Sequence, residues 1–300
     1  MADRSTAHRF CSTHPVGARK TKNAFTIVGA ILARSAASVG ACLVAAGVSS
    51  CRERATAASE LRITSTEYGY SMPDSVPAGL VHVILRNAGQ DIHEAVLVKF
   101  TDATLTAAAY ADSVRAHVDF PTNAEDVGGA ALTMPGDSSG VWLPLSPGHY
   151  AVVCWKGDHL SRGMVHDLWV VPSNAVATVP PKATRQLTLS EFAFSFDTTL
   201  VAGTHMLHVR NAGTEPHEAD IFRATPTVGL REYVAWLDAG ERGMAPAAPV
   251  AAFGDLFPGK EAWVELHLTP GRYFILCRVP AKSDGKPHSK HGMSTEFVIQ

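Results

Sequence analysis

Cysteine is scarce in this chain. There are five in 300 residues, and no two of them stand in a Cys-x-x-Cys spacing, which removes the common zinc and dithiol motifs. No glycine-rich phosphate loop and no Ser-His-Asp arrangement is present. Among fourteen histidines, none lies two positions from another. A basic surplus is missing too. Residues 1–50 hold Arg4, Arg9, Arg19, Lys20, Lys22 and Arg34 against Asp3 alone, which leaves 20 basic and 27 acidic residues in the rest (26 − 6 and 28 − 1). A body of that balance has no electrostatic footprint for nucleic acid. Long apolar runs are also lacking. The most apolar stretch is broken by Arg34, and its uninterrupted part, residues 35–48, falls short of the roughly 20 residues a membrane-spanning helix needs.

What stands at the N-terminus instead has the pattern of an export signal: basic "ARKTK", a short apolar core, then "VSSC". The ending resembles the lipobox of bacterial lipoproteins, which implies cleavage before Cys51 and lipidation of that cysteine. Simple cleavage near "AAGVSS" is the alternative. Residues 1–50 are therefore expected to leave as a signal peptide. The mature protein is expected in the bacterial cell envelope, periplasm or cell surface, held to the membrane through a lipid anchor on Cys51. Only Cys154 and Cys277 then remain in the folded body. With 46% hydrophobic and 18% charged residues, that body is globular, of about two domains.

The two domains are copies of each other. Residues 67–97 align without a gap on residues 191–221. Glu67 and Glu191, Gly79 and Gly203, the "RNAG" at Arg86 and Arg210, and the "HE" at His93 and His217 recur at one spacing. Further on "LSPGHYAVVC" (145–154) matches "LTPGRYFILC" (268–277). The boundaries follow: a linker at 51–60, domain 1 over 61–172, a proline-rich linker over 173–186, and domain 2 over 187–300. Each copy reads as short β-rich runs ended by Asn-Ala-Gly and Pro-Gly turns. Residues 104–118 and 226–240 instead suit a short helix, with Tyr110, Val114 and Tyr233, Trp236, Leu237 on its apolar side. The expected fold class is all-β: two tandem antiparallel sandwiches of Greek-key type, each with a helical insertion.

Four residue types recur in the same order in both copies: His93, Cys154, His159, Met164, and His217, Cys277, His288, Met293. "HLSRGM" and "HSKHGM" both place a histidine five residues before the methionine, which selects His288 over His291. In this order "NAGTEPHE", "PGRYFILC", "PH" and "GM" resemble the cupredoxins, the blue-copper proteins of the plastocyanin and azurin kind, over roughly residues 60–300. The resemblance implies one copper per domain, cycling between Cu(I) and Cu(II). Two imidazoles and a thiolate would form its trigonal plane and the thioether its weak axial ligand. It also implies an electron-transfer function with an unknown redox protein as partner. Two departures stand out. Glu94 and Glu218 occupy the place where plastocyanin-like domains usually have Asn. The Cys-to-His loop is four residues in copy one and ten in copy two. His82, His117, His149, His166, His205, His208 and His267 have no counterpart and are expected to be structural.

Three functions compete. A membrane-anchored carrier with two copper centres fits the doubled ligand set. A cell-surface copper buffer, or a metal-free module of the same fold, needs no other residues. A two-domain copper oxidase or nitrite reductase would need further histidines in His-x-His pairs or beside the cysteine. The neighbours here are Val153, Trp155, Leu276 and Arg278, so the chain is not expected to be an enzyme.

Overall fold

A computed structural model describes residues 58–116, 123–175, 178–197 and 199–300. The expected signal segment, Cys51 and His117 lie outside the described residues. Copy one consists of β1 (Ser59–Thr66), β2 (Gly69–Ser71), β3 (Ser75–Pro77), β4 (Gly79–Asn87), β5 (His93–Phe100), α1 (Ala107–Ala116), β6 (Ala124–Thr133), β7 (Ser138–Leu145), β8 (Gly148–Val153) and β9 (Val165–Val171). Copy two repeats the order without β3: β10 (Arg185–Ser190), β11 (Ala193–Phe196), β12 (Gly203–Asn211), β13 (His217–Arg223), α2 (Leu230–Asp238), β14 (Pro249–Leu256), β15 (Glu261–Leu268), β16 (Gly271–Leu276) and β17 (Ser294–Ile299). No helix among the described residues is long and apolar enough to cross a membrane.

Alternation decides which faces are buried. In β4 the side chains of Val81, Val83 and Leu85 are fully buried while Arg86 is exposed, the period-2 pattern of a half-buried strand. β12 repeats it with Leu207 and Val209. Both strands open on a glycine in the left-handed region, Gly79 at φ 125° and Gly203 at φ 129°, which a side chain would strain. This accounts for the glycine that recurs in the two repeats.

The architecture differs from two separate antiparallel sandwiches in two ways. First, the sheets are mixed: β1 runs parallel to β4, and β10 parallel to β12. Between β1 and β4 the chain leaves for the opposite sheet at β3, which pairs with β9, and it returns in its original direction. Second, each sheet runs through both copies. One has the order β11-β10-β12-β15-β7-β4-β1-β2, the other β17-β16-β13-β14-β6-β5-β8-β9-β3. One hydrophobic core accordingly extends from Leu61 and Val83 in copy one to Leu207 and Leu266 in copy two.

The seam between the copies has a two-fold character. Val141 pairs with Val264 across β7 and β15, and Ala130 pairs with Phe253 across β6 and β14. In both pairs the second residue is the repeat counterpart of the first, so each copy offers the other the same surface. Joining edge to edge also covers strands that an isolated sandwich would leave open to pairing with another chain. Small residues permit the approach: a Cβ on Gly254 would fall 2.5 Å from a methyl of Val96.

Candidate metal centres

The repeated "RNAG" makes the floor of each site. Asn87 is fully buried. Its amide N–H group donates to the carbonyls of Asp91 (2.7 Å) and Thr133 (2.8 Å), and its Oδ1 accepts from Gly89 N–H at 2.8 Å. Asn211 does the same toward Glu215, Leu256 and Gly213, at 2.7, 2.7 and 2.8 Å. Each asparagine clamps the turn that leads into a histidine, the first residue of β5 or β13.

Cys154 and Cys277 follow the ends of β8 and β16, and each is tied to the loop that returns beneath it. Cys154 N–H donates to Met164 O (3.3 Å) and Met164 N–H to His159 O (3.0 Å). The same pair of bonds, 3.1 and 3.0 Å, links Cys277, Met293 and His288. The loops differ by six residues, yet close on one pattern. The longer one folds back on itself through Ala281, Gly285 and Lys286 and needs little extra closure entropy.

Two groups result: His93, Cys154 and His159, and His217, Cys277 and His288. In each, the ligand atoms lie within 4.8 Å of one another, and all six residues are buried. His159 Nδ1 is 3.4 Å from Cys154 Sγ, His288 Nδ1 is 3.5 Å from Cys277 Sγ, and His217 Nδ1 is 3.0 Å from His288 Nδ1. Met164 and Met293 are fully buried beside them. His291, by contrast, is outside the group, stacked on Phe192 and bonded to Asp284 at 3.0 Å.

This donor set fits a metal rather than a core. His93 Nδ1 is buried and has no hydrogen-bond partner among the described residues, which is costly unless something accepts its lone pair. Burial lowers the basicity of His217 to about 4, and also that of His159 and His288. These imidazoles are therefore neutral at ordinary pH, the form that ligates. Both cysteines are free thiols. Burial pushes Cys154 up to about 12 and Cys277 well above its ordinary value, so only a cation among the three donors would hold a thiolate there.

An outer ring orients the ligands. Glu67 accepts from the N–H groups of Gln90 and Asp91 and lies 3.2 Å from His93 Nε2. Glu191 accepts from Thr214 and Glu215 and lies 3.8 Å from His217 Nε2. Backbone N–H donors, from Asp91 first for Glu67 and from Thr214 first for Glu191, hold both carboxyls down at about 2. Glu215 accepts at 3.1 Å from the outer edge of His288. Tyr68 and Phe192, which follow the two repeated glutamates, meet the loop histidines edge-on at 5.0 and 5.1 Å. These contacts fix ring orientation, as outer partners of ligating histidines do.

The chain has matches among known proteins. Residues 48–183 match the model of the sulfocyanin (SoxE) domain. Over that stretch, which contains the whole of copy one, the chain is similar to a sulfocyanin domain, a cupredoxin-like module. Solved structures similar to it include a dithionite-reduced auracyanin from the photosynthetic bacterium Roseiflexus castenholzii, 22% identical over 39% of this chain and all of that one, at a TM-score of 0.29. An azurin (Az-iso2) from the methylotroph Methylomonas sp. strain J is 17% identical over 38% of this chain and 99% of its own, at 0.28. A multicopper oxidase is 13% identical over 80% of this chain and 88% of that one, at 0.24. No curated protein matches the sequence. Cupredoxins bind copper, and the two His-Cys-His groups are consistent with one copper in each half of the chain.

Four of the unmatched histidines have partners away from the two groups. His82 stacks on Trp142 at 3.9 Å, His208 on Trp263 at 4.5 Å and His149 on Trp169 at 4.0 Å. His149 also bonds to Asp167 at 2.7 Å, and His205 to Val201 O at 2.8 Å. Glu94 and Glu218, the departures from the plastocyanin pattern, each accept the N–H of the residue after the cysteine. The donors are Trp155 at 3.2 Å and Arg278 at 2.7 Å. Sequence reasoning missed the group around Arg278, whose guanidinium reaches Asp220 at 2.7 Å and Glu94 and Glu218 at 3.4 Å. The alternation of "HEAD" was a signal for it: Glu218 and Asp220 share a strand face where two apolar residues would be ordinary.

Proposed function

We propose that the chain is a copper electron carrier with two type 1 centres: His93, Cys154, His159 and Met164 in the first, His217, Cys277, His288 and Met293 in the second. One observation carries this: the same buried His-Cys-His group is built twice, from the same backbone clamps, with Met164 and Met293 held against the cysteines. Copper so bound supplies one-electron chemistry between Cu(I) and Cu(II). The protein's part is to hold the donors still. Five fixed elements converge on each site: the clamped turn, the histidine strand, the cysteine strand, the loop and the carboxylate ring. Donors that hardly move between oxidation states make electron exchange fast.

The carrier works outside the cytoplasmic membrane, fixed by a lipid on Cys51, and exchanges electrons with a redox protein. The edge of His159 faces a groove lined by Gln90, Asp91, Met134, Pro135 and Leu237, where such a partner can approach site one. No catalytic copper is expected, since the cysteines lack neighbouring histidines. The test is copper uptake with spectroscopy, followed by reduction and reoxidation with soluble one-electron mediators. Fast cycling supports the carrier. Tight copper binding with slow cycling would indicate a buffer, and turnover of nitrite or a phenol would indicate an oxidoreductase.

A further inference from the structure

The two sites do not face away from each other. The residues that follow the strand histidines and the cysteines in sequence are Glu94, Trp155, Glu218 and Arg278. All four line one cavity of about 290 Å³ at the seam between the copies, together with Asp255 and Val96. The seam's two-fold pairing explains why: counterparts Glu94 and Glu218, and Trp155 and Arg278, are brought to the same place from opposite halves.

Arg278 crosses this seam. It is bonded covalently to Cys277, and its Nη2 donates to Glu94 Oε1 of the other copy at 3.4 Å. Glu94 follows His93 directly, and its second oxygen accepts from Trp155 N–H at 3.2 Å, the peptide that begins at Cys154. A continuous path therefore runs from the Cys277 sulfur through Arg278 and Glu94, with one non-covalent step on the way to His93 and two on the way to Cys154. Nε of the same guanidinium is held by Asp220 at 2.7 Å, which sets its direction. Burying three carboxylates around one guanidinium is costly and is poor economy for stability alone. Contiguous hydrogen-bonded groups of this kind are what can couple two sites.

Building on the two-centre reading above, we propose that Arg278 and Glu94 form an internal electron bridge, so that the two centres act as one relay. With copper held in both sites, one electron would leave Cu(I) at one, giving Cu(II), and would reduce Cu(II) at the other to Cu(I), while Arg278 and Glu94 hold the path between them. No proton moves and no bond forms or breaks.

The experiment uses the copper-loaded chain, with copper content and visible spectrum measured first. The fully oxidised protein receives substoichiometric electrons from a radical reductant, and absorbance is followed in time. A relay gives a second phase whose rate is independent of protein concentration. That phase is absent when either site is emptied by Cys154→Ser or Cys277→Ser, and it is lost in Arg278→Met with both spectra retained. If Arg278→Met fails to fold, Arg278→Lys keeps the charge but shortens the reach and removes the fork, and it too should lose the phase. An absent phase in the wild type, or a phase unchanged in the Arg278 variant that folds, overturns the bridge and leaves two independent carriers. Copper at one site only refutes the bridge and half of the carrier reading. No copper at either site refutes the carrier reading itself, which the uptake measurement reports separately.

Discussion

Replacing Asn211 with alanine tests whether the repeated Asn-Ala-Gly turn is the clamp described above. Three hydrogen bonds of 2.7, 2.7 and 2.8 Å end on its side chain, and the residue is fully buried. Each bond contributes about 1 kcal/mol net, and a buried partner left unpaired adds about 1 kcal/mol or more. The carbonyl of Leu256 lies on the core side of the site and is the partner least able to find water, so the total is about 3–5 kcal/mol. That is a large share of a normal folding free energy. Equilibrium unfolding in urea reads it as a lower midpoint at unchanged slope. Asn87→Ala should cost about the same, since Asn87 makes the same three bonds. Because Asn211 holds the carbonyl of Glu215, two residues before His217, the variant should also weaken copper uptake at the second site more than at the first. A loss below about 1 kcal/mol in both variants would refute the clamp.

Other consequences are as direct. Gly129→Ala places a Cβ 2.1 Å from the Ala95 carbonyl oxygen and 2.5 Å from Val96 Cα. Backbone cannot retreat easily there, so it should cost about 2–3 kcal/mol of stability in thermal unfolding; a neutral result would contradict the close approach of β6 to β5 in copy one. Burial pushes the Asp126 carboxyl up to about 8, above its value in an unfolded chain. Folding then takes up a proton, and its contribution to stability falls as pH rises from about 4 to about 8. Asp126→Asn should therefore become more stable relative to wild type across that window, and parallel Tm-against-pH curves would argue against it.

The sequence made the duplication and the four-residue sets legible because both are linear facts. Glu67, the Asn-Ala-Gly turn, His93 and Cys154 recur at nearly constant spacing, and the shared five-residue step from histidine to Met164 and Met293 alone distinguished His288 from His291. The helices at Ala107–Ala116 and Leu230–Asp238 fell inside the two stretches lacking β character. Strand neighbours were not legible. Period-2 alternation in β1 or β7 tells which face is buried, not which strand lies beside it. The parallel pairing of β1 with β4 and the continuity of β7 with β15 therefore came only with the fold. Glu67 and Glu191 were visible as repeated landmarks, but their hold on the histidine turn depends on contacts more than twenty residues away. Arg278 was noted only as a cysteine neighbour without metal-binding ability; its reach to Glu94 is a property of the seam.

Copper titration of the chain and of its two cysteine variants decides whether the chain holds two type 1 centres. That reading requires about two coppers per chain and intense visible absorption from thiolate-to-copper charge transfer. It also requires that Cys154→Ser and Cys277→Ser each remove about half of the metal and half of the colour. A colourless chain that takes up no copper, or one whose uptake survives both substitutions, would contradict it.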